Sequence, residues 1–90
     1  MLTMLKTDLG IIASTAYDAR LTQLLTAAET AIRKEGASTL DASDPLDQQL
    51  IVMYAAWLWR RRDTMEAMPP FLRWMLNNRI LGEKAGESNG

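Results

Sequence analysis

The stretch from Leu50 to Arg62, LIVMYAAWLW followed by RRR, constrains the fold most, because it is apolar around the whole circumference of a helix and ends in three cations. A helix with no polar face has to be covered on more than one side. Either it forms the centre of a small core, or part of it meets a membrane or a partner subunit. The apolar run, Leu50 to Trp59, is well short of the ~20 residues that cross a bilayer. A helix lying in the membrane interface would keep a strongly polar face, which this one lacks. The N-terminal MLTMLKTDLGIIAS is interrupted by Asp8 and has no continuous apolar segment, so it is not expected to act as a signal peptide. A soluble, intracellular protein with no membrane partner is expected.

Ninety residues make one domain, in the size range where a single core is marginal and oligomerisation is a common support. Cysteine is absent, which excludes disulfides and thiolate metal sites. Histidine is absent too, which removes the commonest general base and metal ligand. Asp41, Asp44 and Asp47 are spaced three apart, but the glycine and terminal glutamate of a calcium loop are missing. No phosphate loop, dinucleotide fingerprint or nucleophile motif occurs. The expectation is a protein that is not an enzyme, with no catalytic, cofactor-binding or metal site. A net charge of -1 gives no global reason to wrap nucleic acid.

The chain reads as all-α, a small bundle of about four helices with a polar loop and a flexible C-terminal tail. A short helix is expected over Thr3 to Leu9, stopped by Gly10. Thr15 is placed to cap a second helix that runs to Glu35 and ends at Gly36, with Asp18 at its positive end and Arg33 and Lys34 at its negative end. Leu21, Leu24, Leu25, Ala28 and Ile32 form its buried stripe. Gly36 to Ser43 is a polar loop with Leu40 as its anchor. Asp44 caps a third helix, Pro45 takes its first position and Asp47 is an acid in its first turn. That helix continues to about Asp63. Met68-Pro69-Pro70 then leads into a fourth helix from Phe71 to about Leu81, closed by Gly82. A single helical domain over 1–82 is expected, with a disordered tail over 83–90.

On the third helix Leu46, Leu50, Met53, Tyr54 and Trp57 share one stripe, whereas Val52, Ala55 and Trp59 lie on another side. On the fourth, Phe71, Leu72, Met75 and Leu76 make the expected core face, and Trp74 and Leu81 point elsewhere. Val52, Ala55, Trp59, Trp74 and Leu81 are therefore the candidate subunit interface, since uncovered large aromatics favour a partner. The alternative is that the third helix is covered on both sides within one subunit. Arg60, Arg61 and Arg62 are consecutive and fan around the helix end. With Arg73 and Arg79 they are the candidate polar or charged contacts. A small helical DNA-binding regulator using these arginines is the alternative function, although no turn between a positioning and a recognition helix is evident.

Leu5-Lys6 with Leu9-Gly10-Ile11, the stripe from Asp18 to Ile32, Tyr54-Ala55-Ala56-Trp57-Leu58 leading into Arg60 to Asp63, and Met68-Pro69 before Leu72, Leu76, Asn77, Asn78 and Arg79 occur in an order that resembles the small head-tail connector (adaptor) proteins of tailed bacteriophages and prophages. The resemblance covers Leu2 to Leu81; the short polar loop Gly36 to Ser43 and the brief tail depart from it. It implies a virion structural protein, made in the bacterial host cytoplasm and located at the head-tail junction. Such a protein forms a ring of identical subunits at the portal vertex and extends the DNA channel toward the tail. The partners implied are the portal protein and the tail-side connector proteins, with nonspecific passage of DNA and no catalysis. A ring requires head-to-tail contacts between two different faces of each subunit.

Overall fold

The computed structural model describes the backbone of residues 1–89 and the side chains of residues 1–84 other than Asp63. The described residues form four helices: α1 Leu2–Leu9, α2 Asp18–Glu35, α3 Pro45–Thr64 and α4 Pro70–Asn89. No strand occurs among the described residues, and the all-α reading holds.

Each boundary has a local cause. Gly10 takes the left-handed conformation (φ 74°), and the N–H groups of Gly10 and Ile11 close the last turn of α1 on the carbonyls of Thr7 and Lys6. The second helix starts at Asp18, later than a cap at Thr15 implies, and its N-cap residue Tyr17 provides no side-chain bond. Ser14 and Thr15 are spent on a local turn instead: Ser14 Oγ accepts from the Ala16 N–H, and the Thr15 carbonyl accepts from the Asp18 N–H. Asp18 turns to Lys6 at 2.9 Å, tying the start of α2 to α1. In α3, Asp44 Oδ1 accepts from the Leu46 N–H at 3.1 Å, as a cap before Pro45 should. Met65 ends this helix in the left-handed conformation (φ 54°).

The predicted stripe of α2 is buried in full, from Leu21 to Ile32. It packs on α3, which also meets α1 and α4 and is the central helix. Leu50, Ile51, Val52, Tyr54, Ala55 and Ala56 are all buried, so the circumferential apolar surface of α3 is largely covered within one subunit. Leu40 and Ala37 anchor the loop as a plug in the core.

Among the described residues of α4, Leu72 and Leu76 alone are fully buried. At ~1.5–3 kcal/mol per side chain, this apolar docking of α4 is roughly half that of α2, which buries four side chains of that size. The fourth helix also corrects two expectations. Phe71 is exposed, because the buried line runs Leu72, Leu76, Ile80. Gly82 does not end the helix: it keeps right-handed helical geometry, and the backbone continues to Asn89. A glycine stops a helix only when it leaves that geometry. The disorder expected of 83–90 falls outside the described side chains from residue 85 onward, but Glu83 is held in place, as described below.

Gly36 is the glycine whose conformation matters most for docking α4. Its φ is 134°, and a Cβ there would lie 3.1 Å from Ile80 Cγ2. Gly36→Ala should cost about 1–2 kcal/mol, combining backbone strain with displacement of Ile80. Chemical denaturation followed by circular dichroism measures it, and an unchanged midpoint would contradict the account.

Candidate interaction surface

A polar clasp sets the rotation of α4. Asp47, 3% exposed, receives Arg79 on both oxygens, with Nε 2.8 Å from Oδ1 and Nη2 3.2 Å from Oδ2. Its Oδ2 also accepts from the Asp41 N–H at 3.0 Å. Arg79 Nη2 donates to Thr39 Oγ1. One turn on, Glu83 Oε1 accepts from the Ser38 hydroxyl and from the Thr39 N–H, while Oε2 lies 3.5 Å from Arg79 Nη1. At the other end of α4, Arg73 Nη1 meets Glu35 Oε1 at 3.0 Å. The fork of Arg79 matches a carboxylate geometrically, so this contact specifies orientation as well as attraction. Asp47 is thus the partner of α4 and not simply an acid at a helix start.

The clasp makes docking acid-sensitive. Burial pushes the Asp47 carboxyl up, but hydrogen bonds from Arg79 and from the Asp41 N–H outweigh it and hold the group below its ordinary 3.8. The Ser38 hydroxyl holds Glu83 below 4.5, with help from the Thr39 N–H against burial. Carboxyls depressed by folding add stability that is fully present above their unfolded values and is lost as pH falls through the folded ones. Melting temperature should therefore change little between pH 7 and about 5 on account of these two groups. It should fall as the pH passes 4.5 and 3.8 and continue down below them. Asp47→Asn should flatten that fall, and a variant as acid-sensitive as the parent would count against the clasp.

With α4 so rotated, Phe71 (60% exposed), Trp74 (62%) and Leu81 (61%) face outward, and Trp74 shares the edge of α3 with Leu46 (75%). Phe71 and Trp74 stack, with centroids 6.0 Å apart and planes at 19°. Between α3 and α4 lies a shallow cleft of about 260 Å³ whose walls include Leu46, Leu50, Trp74 and Met75. Large apolar groups gathered this way on one face mark a contact surface.

Of the residues expected at an interface, Trp74 and Leu81 are on this surface. Val52 and Ala55 are not: they are 5% and 0% exposed, under the neighbouring helices, because α3 is covered on that side by its own chain. Trp59 is half-buried, packed edge-on against Tyr17 at 5.2 Å with Arg62 over its face at 3.7 Å. Leu46 belongs to the expected core stripe, yet it is the most exposed of the four. It shares a face with Leu50, but lies a turn nearer the helix end, where α4 leaves the cleft open.

The arginines are engaged within the chain. Arg60 lies 3.5 Å from Asp8, Arg61 sits 4.8 Å over the Trp57 ring, and Arg62 also donates to the Trp59 carbonyl at 2.7 Å. Arg73 and Arg79 serve α4, as above. The sequence groups these cations, and the fold disperses them among separate partners. Among the described residues no group of acidic side chains is placed to hold a metal, and no helix is long and apolar enough to cross a membrane. Compared with known proteins, the chain matches no family model, no curated protein and no solved structure.

Proposed function

We propose that this chain is a head-tail connector (adaptor) subunit of a tailed bacteriophage or prophage, a virion structural protein without catalytic activity. Copies form a ring at the portal vertex that extends the DNA channel toward the tail. The portal protein lies on one side and tail-side connector proteins on the other. The observation that carries this reading is the uncovered surface of Phe71, Trp74, Leu81 and Leu46 on a subunit whose central helix is otherwise satisfied. Aromatic side chains of this kind are enriched where proteins meet proteins. A channel wall also needs only weak, nonspecific contact with passing DNA, which suits a chain in which Arg60, Arg61, Arg62, Arg73 and Arg79 have partners of their own. The same pairing weakens the alternative of a DNA-binding regulator, which would require Arg60, Arg61, Arg62, Arg73 and Arg79 to present charge together to phosphates.

Native mass spectrometry with negative-stain microscopy tests the proposal. A closed ring, or a monomer that forms rings on portal protein, is the expected result. A compact dimer binding duplex DNA tightly at physiological salt would replace it with the regulator.

A further inference from the structure

The connection between α3 and α4, Met65 to Pro69, is at odds with its own residues. Met65 is the one described residue other than glycine with a positive φ, 54°, and it is 82% exposed. A side chain with a Cβ takes that geometry at a cost, and at this position it gains no burial in return. Glu66 and Ala67 are also exposed and non-helical, although Met, Glu and Ala are among the strongest helix formers. Pro69 disfavours helix at the residue before it, Met68, and no earlier. Local preference alone would therefore carry α3 through Met65, Glu66 and Ala67, close to one further turn.

The docking of α4 is what keeps the turn. Trp57 Nε1 donates to the Glu66 carbonyl at 3.0 Å, and beyond it α4 is seated by Leu72 and Leu76, by Ile80 over Gly36, and by its charged contacts. Those contacts go to Glu35, Ser38, Thr39 and Asp47, all of which precede the hinge. The seat is thus built from α2, α3 and their loop, and every identical copy offers it.

We infer that α4 is an exchangeable arm: with α3 extended through Ala67, the α4 of one copy docks in the α4 seat of another by the contacts it makes at home. No new surface is required, because shape, charge and hydrogen bonds are those already described for the single chain. Extension leaves Met68 and Pro69 as the connection, and Met68, held extended by the proline after it, directs α4 away from its own α3. The opening gives up the Trp57 bond and recovers the left-handed turn as helix. Docking at home keeps the advantage of an effective concentration on the order of 1 mM, so exchange should grow as copies are gathered. The fork of Arg79 on Asp47 admits one orientation, which gives each copy one arm and one seat. Reciprocal exchange closes a dimer, and exchange in one direction makes a chain or ring. The inference goes beyond the connector reading, since it needs a second copy and no portal.

The absence of cysteine allows a crosslinking test. Glu35 and Arg73 meet at 3.0 Å and both are exposed, so Glu35→Cys marks the seat and Arg73→Cys marks the arm. At high dilution a short bis-maleimide should link the double variant within one chain, which verifies the closed form. The two single variants, mixed equally and incubated at roughly 1 mM, should give a covalent dimer, because an exchanged arm brings the two marks together from different chains. Each single variant alone should stay uncrosslinked. Met65→Gly accepts the positive φ without strain and weakens an extension of α3, so it should lower the exchanged fraction about tenfold. Oligomers seen by native mass spectrometry in a mixture that gives no covalent dimer would overturn the exchange and leave the ring reading standing. A mixture that stays monomeric and unlinked would overturn it as well, and the connector reading would then turn on portal protein alone. Covalent dimer with no larger species would support the exchange and count against the ring. An exchanged fraction unchanged by Met65→Gly would overturn the hinge.

Discussion

Replacing Phe71 and Trp74 together by alanine should abolish assembly while leaving the subunit folded. Buried aromatic anchors at an interface cost about 2 kcal/mol or more each when truncated, so the pair should weaken each subunit contact by roughly 10³-fold. Both side chains are more than half exposed in the single subunit, so thermal stability should change by no more than about 0.5 kcal/mol each. Sedimentation velocity and circular dichroism on one preparation separate the two effects. Trp59→Ala is the control. That ring is wedged between Tyr17 and Arg62, so its loss should loosen the α1–α2 connection and lower the melting temperature before it touches assembly. A Phe71→Ala/Trp74→Ala protein that assembles normally would discard the α4 surface as the interface.

Asp47→Ala should be among the most destabilising single changes outside the apolar core. It removes both acceptors of the Arg79 fork and the partner of the Asp41 N–H at a site 3% exposed. Removing one member of a buried pair costs about 3–5 kcal/mol. Arg79 keeps some solvent access, at 24% exposed, and regains part of its hydration, which brings the expected loss to about 2–4 kcal/mol. Against the ~5–15 kcal/mol that a small domain has in total, that is a large share. The loss should concentrate in α4, whose apolar docking rests on Leu72 and Leu76. Hydrogen exchange should show α4 amides opening first, with α2 and α3 following only at global unfolding. Asp47→Leu/Arg79→Met should recover much of the stability, because an apolar pair of similar volume carries no desolvation cost. If Asp47→Ala is neutral, or α2 opens together with α4, the clasp is not what holds the fourth helix.

Asp44-Pro45 was legible as a helix start because both its parts act locally: a side-chain oxygen two residues from the N–H it accepts, and a ring that pre-sets the first helical φ. The stripe of α2 was legible because its other face is plainly polar. The phase of α4 was not legible. Phe71, Leu72, Met75 and Leu76 offer adjacent apolar lines, and the choice between them is made by Arg79 and Glu83 reaching residues 32 and 45 positions away in the chain. That choice turns Phe71 outward and creates the candidate surface with Trp74. In the sequence Asp44 reads as a cap and Asp47 as no more than an acid in the first turn of the third helix. Asp44 does cap, but Asp47 is the anchor of α4, and nothing in its immediate neighbours, Leu46, Gln48 and Gln49, marks it as buried.

By itself the sequence determined about four helices, one of them with an apolar run that leaves no polar face, and a chain with neither thiol nor imidazole chemistry, since helix signals and composition are local properties. Tertiary structure decided which apolar groups are left over. Val52 and Ala55 disappeared beneath the chain's own helices, the arginines were distributed among carboxylates, carbonyls and aromatic rings, and Leu46 and Phe71 joined Trp74 and Leu81 outside. The physical reason is that exposure belongs to pairs of elements. It depends on how one helix is rotated against another, and here a buried carboxylate and a guanidinium set that rotation.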